Sequence, residues 1–137
     1  MVTGRRPLRG DLFWLPASEG IVPPPELAIR LAVGPYGATA GWCYPLAFFY
    51  LDEHREVPGL SLVHGTTGES RRGHAWCEAI GSYGELVFDG SMQCFYDLES
   101  YYARRKARPV VRFTYSEAVH ELEATEMYGP WYAQDCL

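Results

Sequence analysis

Two alternating runs on either side of a glycine-flanked turn constrain this chain more than any other feature. His74-Ala75-Trp76-Cys77-Glu78-Ala79-Ile80 puts His74, Trp76, Glu78 and Ile80 on one side of an extended segment. Ala75, Cys77 and Ala79 fall on the other side. Gly81-Ser82-Tyr83-Gly84 reads as a turn, and Glu85-Leu86-Val87-Phe88-Asp89 as the return strand of a hairpin. A turn of that length pairs Ile80 near Glu85. Stepping outward sets Asp89 opposite about Trp76, diagonal to His74. Such a diagonal spans about 7–8 Å between α-carbons, which an aspartate and an imidazole can bridge.

The remaining segments surround this hairpin. Pro45 suits the first turn of a helix running to about His54, with Leu46, Phe49, Tyr50 and Glu53 on an inward stripe. His54 and Arg55 suit the negative end of its dipole. A shorter helix is expected from Glu26 to Val33, stopped by Gly34-Pro35. Leu60 to Gly65 reads as a strand and Thr66 to Gly73 as a polar loop. After Gly90 the chain reads as loop to Asp97, which can cap a helix from Leu98 to about Ala107. Pro109 to Tyr115 is a further strand, and Ser116 can cap a helix from Glu117 to about Met127. Residues 1–24, with four prolines and Pro25 directly after them, read as an irregular arm, either packed on the domain through Leu12-Phe13-Trp14-Leu15 or acting as a flexible lid or a substrate-mimicking segment. The expected fold is α+β, with helices segregated from an antiparallel sheet.

The 137 residues suffice for one core, so a single domain over 1–137 is expected. A net charge of -5, without a long basic stripe, argues against nucleic acid as the main partner. No apolar run approaches a membrane span, and the start shows no secretory pattern. A cytoplasmic location and no membrane partner are therefore expected. Cys43, Cys77, Cys94 and Cys136 are widely spaced, so free thiols are favoured over two bridges. A zinc set from His74, Cys77 and Cys94 or Cys43 is disfavoured, because His74 and Cys77 should face opposite sides of the sheet. No cofactor or metal is expected.

Cys43, His74 and Asp89 carry the chemistry. Cys43 opens the predicted helix, where unpaired N–H groups and the helix dipole stabilise a thiolate. The same groups can receive the oxyanion formed when a thiolate attacks a carbonyl. His74 opens a strand that can aim its ring at the sulfur, and Asp89 can hold that ring in one tautomer. Each residue also has an ordinary structural reading, as a buried thiol, a hydrogen-bonded histidine and a turn aspartate.

Gly41-Trp42-Cys43, then Gly73-His74-Ala75-Trp76-Cys77-Glu78, then Leu86-Val87-Phe88-Asp89-Gly90, resembles the transglutaminase-like branch of the papain-like cysteine enzymes. The likeness spans about residues 36–95, and the His-Ala-Trp segment is its most specific part. It implies a papain-like/transglutaminase-like fold, with Cys43 as nucleophile, His74 as general base and acid, and Asp89 as orienter. The implied activities are those of peptidases, amidases, deamidases and acyl transferases on a peptide or protein substrate. A catalytically inactive binding module and a toxin-type glutamine deamidase are the alternatives. Two departures stand out: Gly37-Ala38-Thr39-Ala40 replaces the glutamine that papain-type enzymes place before the cysteine, and Pro45 follows closely after it. The second oxyanion donor is thus open among the Trp42 and Cys43 backbone, Gln93 and Trp76. Trp42, Trp76 and Trp131 are candidates for a groove wall, with plain core as the competing reading. Arg71-Arg72 could read an acidic substrate or simply occupy an exposed loop, and Arg104-Arg105-Lys106 with Arg108 a solvated helix end or an anion contact. Glu78 and Glu85 are expected on the outer hairpin face.

Overall fold

A computed structural model describes residues 19–30 and 42–133. The Gly37–Gly41 loop, most of the N-terminal arm and Cys136 lie outside the described residues. The chain is α+β. Helix α1 (Cys43–Glu53) precedes strands β1 (Leu60–Thr67), β2 (Arg72–Gly81), β3 (Gly84–Asp89) and β4 (Cys94–Asp97). Helix α2 (Leu98–Arg105), strand β5 (Arg108–Phe113) and helix α3 (Tyr115–Thr125) follow. The strands form one antiparallel sheet in the order β4-β3-β2-β1-β5.

The hairpin register follows from its turn. Gly81 pairs with Gly84, where φ is +107°, and Ile80 pairs with Glu85. A positive φ suits glycine, which has no Cβ to clash. The β1–β2 hairpin is longer than its sequence suggests. Thr66, Thr67, Arg72 and Gly73 belong to the strands, and only residues 68–71 turn.

Alternation divides the core between two faces. On one, α1 covers Leu62, Ala75, Cys77, Ala79, Leu86 and Phe88. On the other, Val63, Trp76, Val87, Tyr96 and Tyr101 pack together beneath α2. α1 has no single inward stripe: Cys43, Tyr44, Leu46, Ala47, Phe48, Tyr50 and Leu51 are all buried, whereas Phe49 and Glu53 are half-buried. A helix buried on most sides is apolar on most sides. Here the sheet lies on one side, and residues 27–30 and α3 with the chain after it cover much of the rest.

Three expectations are corrected. Between Glu26 and Arg30 only a 3-10 turn forms, Pro25–Leu27, and Ala28 is already extended. Two carbonyls that a continuing helix would use internally are taken instead by α1: Tyr50 Oη donates to Leu27 O at 2.6 Å, and His54 Nε2 lies 2.8 Å from Ala28 O. The segment expected to be loop before Asp97 contains β4, paired with β3 from Leu86↔Asp97 to Asp89↔Cys94. Ile21, from the expected arm, bridges to Phe95 on the outer side of β4. Finally, Thr114 rather than Ser116 caps α3, in a capping box whose Thr114 Oγ1 accepts from Glu117 N at 3.2 Å. Asp97 caps α2 as expected, accepting from Ser100 N at 3.0 Å. Among the described residues no helix is long and apolar enough to cross a membrane.

Candidate active site

Cys43 is the first residue of α1, after Trp42 at the N-cap, and is buried. The first repeating helical bond runs from Leu46 N to Trp42 O at 3.1 Å. The helix therefore leaves the N–H groups of Cys43 and Tyr44 without an intrahelical partner. Pro45, which has no N–H, occupies a position where none would be paired.

His74 lies near the start of β2, 7% exposed, on the Trp76 side of the sheet. Continuing the Cys77↔Phe88 register sets Asp89 opposite Trp76 and diagonal to His74. The diagonal closes as expected: His74 Nε2 lies 3.1 Å from Asp89 Oδ2. Cys43, at the start of α1, lies near enough to act on the His74 ring electrostatically. Asp89 occupies Nε2, so Nδ1 is the ring nitrogen left for the sulfur. The structure thus joins His74 to Asp89 directly and places Cys43 in their neighbourhood.

Electrostatics act on the pair in opposite directions. Burial alone would lower the His74 pKa, but the Asp89 charge, the Cys43 sulfur and the hydrogen bond to Asp89 raise it to about 9. Burial alone would raise Asp89. The His74 charge and hydrogen bond, helped by Arg105 and Tyr101, hold it well below the usual carboxylate range.

Asp89 is also held by groups that sequence reasoning missed. Tyr101 Oη donates to Asp89 Oδ2 at 2.6 Å, and Ser91 N donates to Oδ1 at 3.0 Å. Tyr101 is an aromatic on a short helix, so its sequence signal is the same as that of any core residue. The Asp89-Gly90-Ser91 turn did carry a signal, since an aspartate commonly accepts from an N–H two residues on.

The remaining candidates separate. Trp42 is 39% exposed beside Cys43. Trp76 is fully buried, with its indole N–H donating to Glu78 Oε2 at 3.1 Å. It is core, packed between the rings of His74 and Tyr101 at centroid distances of 6.0 and 6.1 Å, and does not wall a groove. Gln93 donates through Nε2 to Gly90 O at 2.9 Å, which engages its amide within its own turn. It faces a small recess lined by Leu46, Tyr50 and Phe88, further along α1 than Cys43. Trp131 packs on Phe113 and His64. Glu78 is buried rather than on an outer face, accepting from Trp76, Tyr102 and Arg112, because α2 and β5 supply donors over that position. Glu85 is exposed.

Arg104 pairs with Glu19, while the Arg105 guanidinium lies 5.8 Å from the centre of the Tyr101 ring. Cys77 is a buried thiol donating to Ala47 O at 3.2 Å, on the face opposite His74. Among the described residues Cys43, Cys77 and Cys94 are free thiols, and no group of three His, Cys, Asp or Glu could hold a metal. No family model, curated protein or solved structure matches the chain.

Proposed function

We propose that the chain is a cysteine-dependent hydrolase or acyl transferase acting on a peptide or carboxamide bond, built on a papain-like/transglutaminase-like plan. The observation that carries this reading is the position of His74, hydrogen-bonded to Asp89 at 3.1 Å through Nε2 and near enough to Cys43 for the sulfur to act on its ring. A thiol, an imidazole and a buried carboxylate in that order form a nucleophile, a proton shuttle and an orienter.

In this reading His74 takes the Cys43 proton, and the sulfur attacks the carbonyl carbon. The N–H groups at the start of α1 receive the oxyanion. The tetrahedral adduct collapses to a thioester as His74 gives its proton to the departing amine or ammonia. Water then attacks the thioester with His74 as base. The acid leaves and Cys43 recovers its proton. An amine in place of water gives transfer. Asp89 stays ionised throughout and stabilises the imidazolium.

Iodoacetamide at neutral pH should label Cys43 at least about 10²-fold faster than the other thiols, and His74→Ala should abolish that preference. Equally slow labelling of all four cysteines refutes the reading. An electrophilic amide probe should form a Cys43 adduct. Amide turnover that survives Cys43→Ala rejects the thiol mechanism.

A further inference from the structure

Helix α2 buries one side chain fully, that of Tyr101. Packing alone would be met by phenylalanine, since the ring already lies against Trp76 and Tyr96. A buried hydroxyl is costly unless it finds a partner. The Tyr101 hydroxyl is spent, at 2.6 Å, on the one oxygen of Asp89 that also receives His74. With Ser91 N on the other oxygen, the carboxylate is held from three directions. The Asp97 cap and the β4 pairing fix where α2 starts, and so bring Tyr101 over the end of β3.

We propose that Tyr101 is a positioning residue of the Cys43–His74–Asp89 site: its hydroxyl locks the Asp89 carboxylate in the orientation that takes His74 Nε2–H, so that Nδ1 faces the sulfur. The catalytic consequence rests on the function proposed above, whereas the positioning can be read from His74 alone. Without the hydroxyl, Oδ1 keeps Ser91 N and Oδ2 keeps His74 alone of the two side-chain donors described, and the carboxylate can rotate away from the imidazole. The Arg105 guanidinium beside the Tyr101 ring, and Cys77, Cys94 and Tyr96 near Asp89, are further titratable groups around the carboxylate.

The test is the NMR titration of the His74 ring in the intact protein, in Tyr101→Phe and in Tyr115→Phe. Tyr115 is a matched control, because its hydroxyl also donates to an aspartate, Asp52, at 2.6 Å, away from the site. Tyr101→Phe should lower the His74 midpoint by about one pH unit, a tenfold change in proton affinity, and Tyr115→Phe should leave it in place. An unchanged midpoint overturns the proposal. So does a raised one, which would mean that the hydroxyl competes with His74 for the oxygen instead of aiming it. A second measurement needs no variant. The exchange-protected Tyr101 hydroxyl proton should shift across the His74 titration, and a resonance that stays flat through it also overturns the proposal. Failure of the functional reading has a different signature: undifferentiated alkylation of the thiols in the unaltered protein, with the His74 titration still responding to Tyr101→Phe.

Discussion

His64 and His74 stand on neighbouring strands, one residue out of register with each other: Gly65 pairs with His74, and His64 with Ala75. Both are buried. The offset turns them to opposite faces of the sheet, and the two faces treat an imidazole differently. His64 lies among rings, with Tyr44, Phe113 and Trp131 at centroid distances of 5.1, 5.3 and 4.8 Å. Its Nδ1 accepts the Trp131 backbone N–H at 3.3 Å, a bond that needs the neutral ring. Burial without a nearby carboxylate lowers its pKa to about 4. His74 meets the same desolvation but has Asp89 at 3.1 Å, and its pKa rises. The difference shows that the carboxylate sets the charge of a buried histidine here. Only one of the two faces is equipped to hold an imidazolium.

The largest expected effect comes from making the two environments alike. Asp89→Asn removes the charge that supports His74, and breaking a buried charged pair costs about 3–5 kcal/mol. The His74 midpoint should fall below the ordinary histidine range, toward that of His64, and the preferential alkylation of Cys43 should fall with it. A His74 titration indifferent to Asp89→Asn would end the comparison.

A pH scan of stability separates the two by sign. The folded His64 midpoint is about 4, against about 6.5 when unfolded. Its contribution is therefore complete above about pH 6.5 and is lost as pH falls through 4. His74, raised to about 9, contributes fully below about pH 6.5 and loses that contribution as pH climbs through 9. His64→Leu should flatten the acid limb of the thermal midpoint, by about 3 kcal/mol at pH 4, and leave the alkaline limb in place. An acid limb that keeps its slope in this variant contradicts the assignment.

The smallest effect serves as a control. Thr114→Ala removes the capping box of α3, at a cost of about 1 kcal/mol. It touches neither histidine, so both titrations should stay where they are. Movement of either would mean that general destabilisation, and not local chemistry, sets the midpoints.

Sequence reasoning reached the site where the rules are local. The Gly81–Gly84 turn fixes Ile80 against Glu85, and a period of two carries that register to Asp89 and His74. Asp97 as a cap and a helix opening near Cys43 are equally local. The misses have specific causes. β4 has four residues, too few to show a period, and its edge is paired by Ile21 from more than seventy positions away. Thr114 was legible, because Thr114 and Glu117 have capping-box spacing, but Ser116 offered a nearer cap by composition. The Tyr101 contact depends on how α2 crosses β3, which no spacing encodes. The ring cage of His64 needs Trp131, 67 positions away, and Gly129, where a Cβ would lie 2.5 Å from the imidazole.

α1 is walled on nearly every side, and Gly90 approaches it so closely that a Cβ there would sit 2.6 Å from Leu46 Cβ. The sulfur therefore rides on an element whose hydrogen-bonded amides, from Leu46 onward, should exchange with deuterium only when the whole domain opens. Such a helix cannot fray or swing to greet an incoming molecule. Whatever plasticity admission demands must come from elements other than α1, and Cys43 itself behaves as a fixed post.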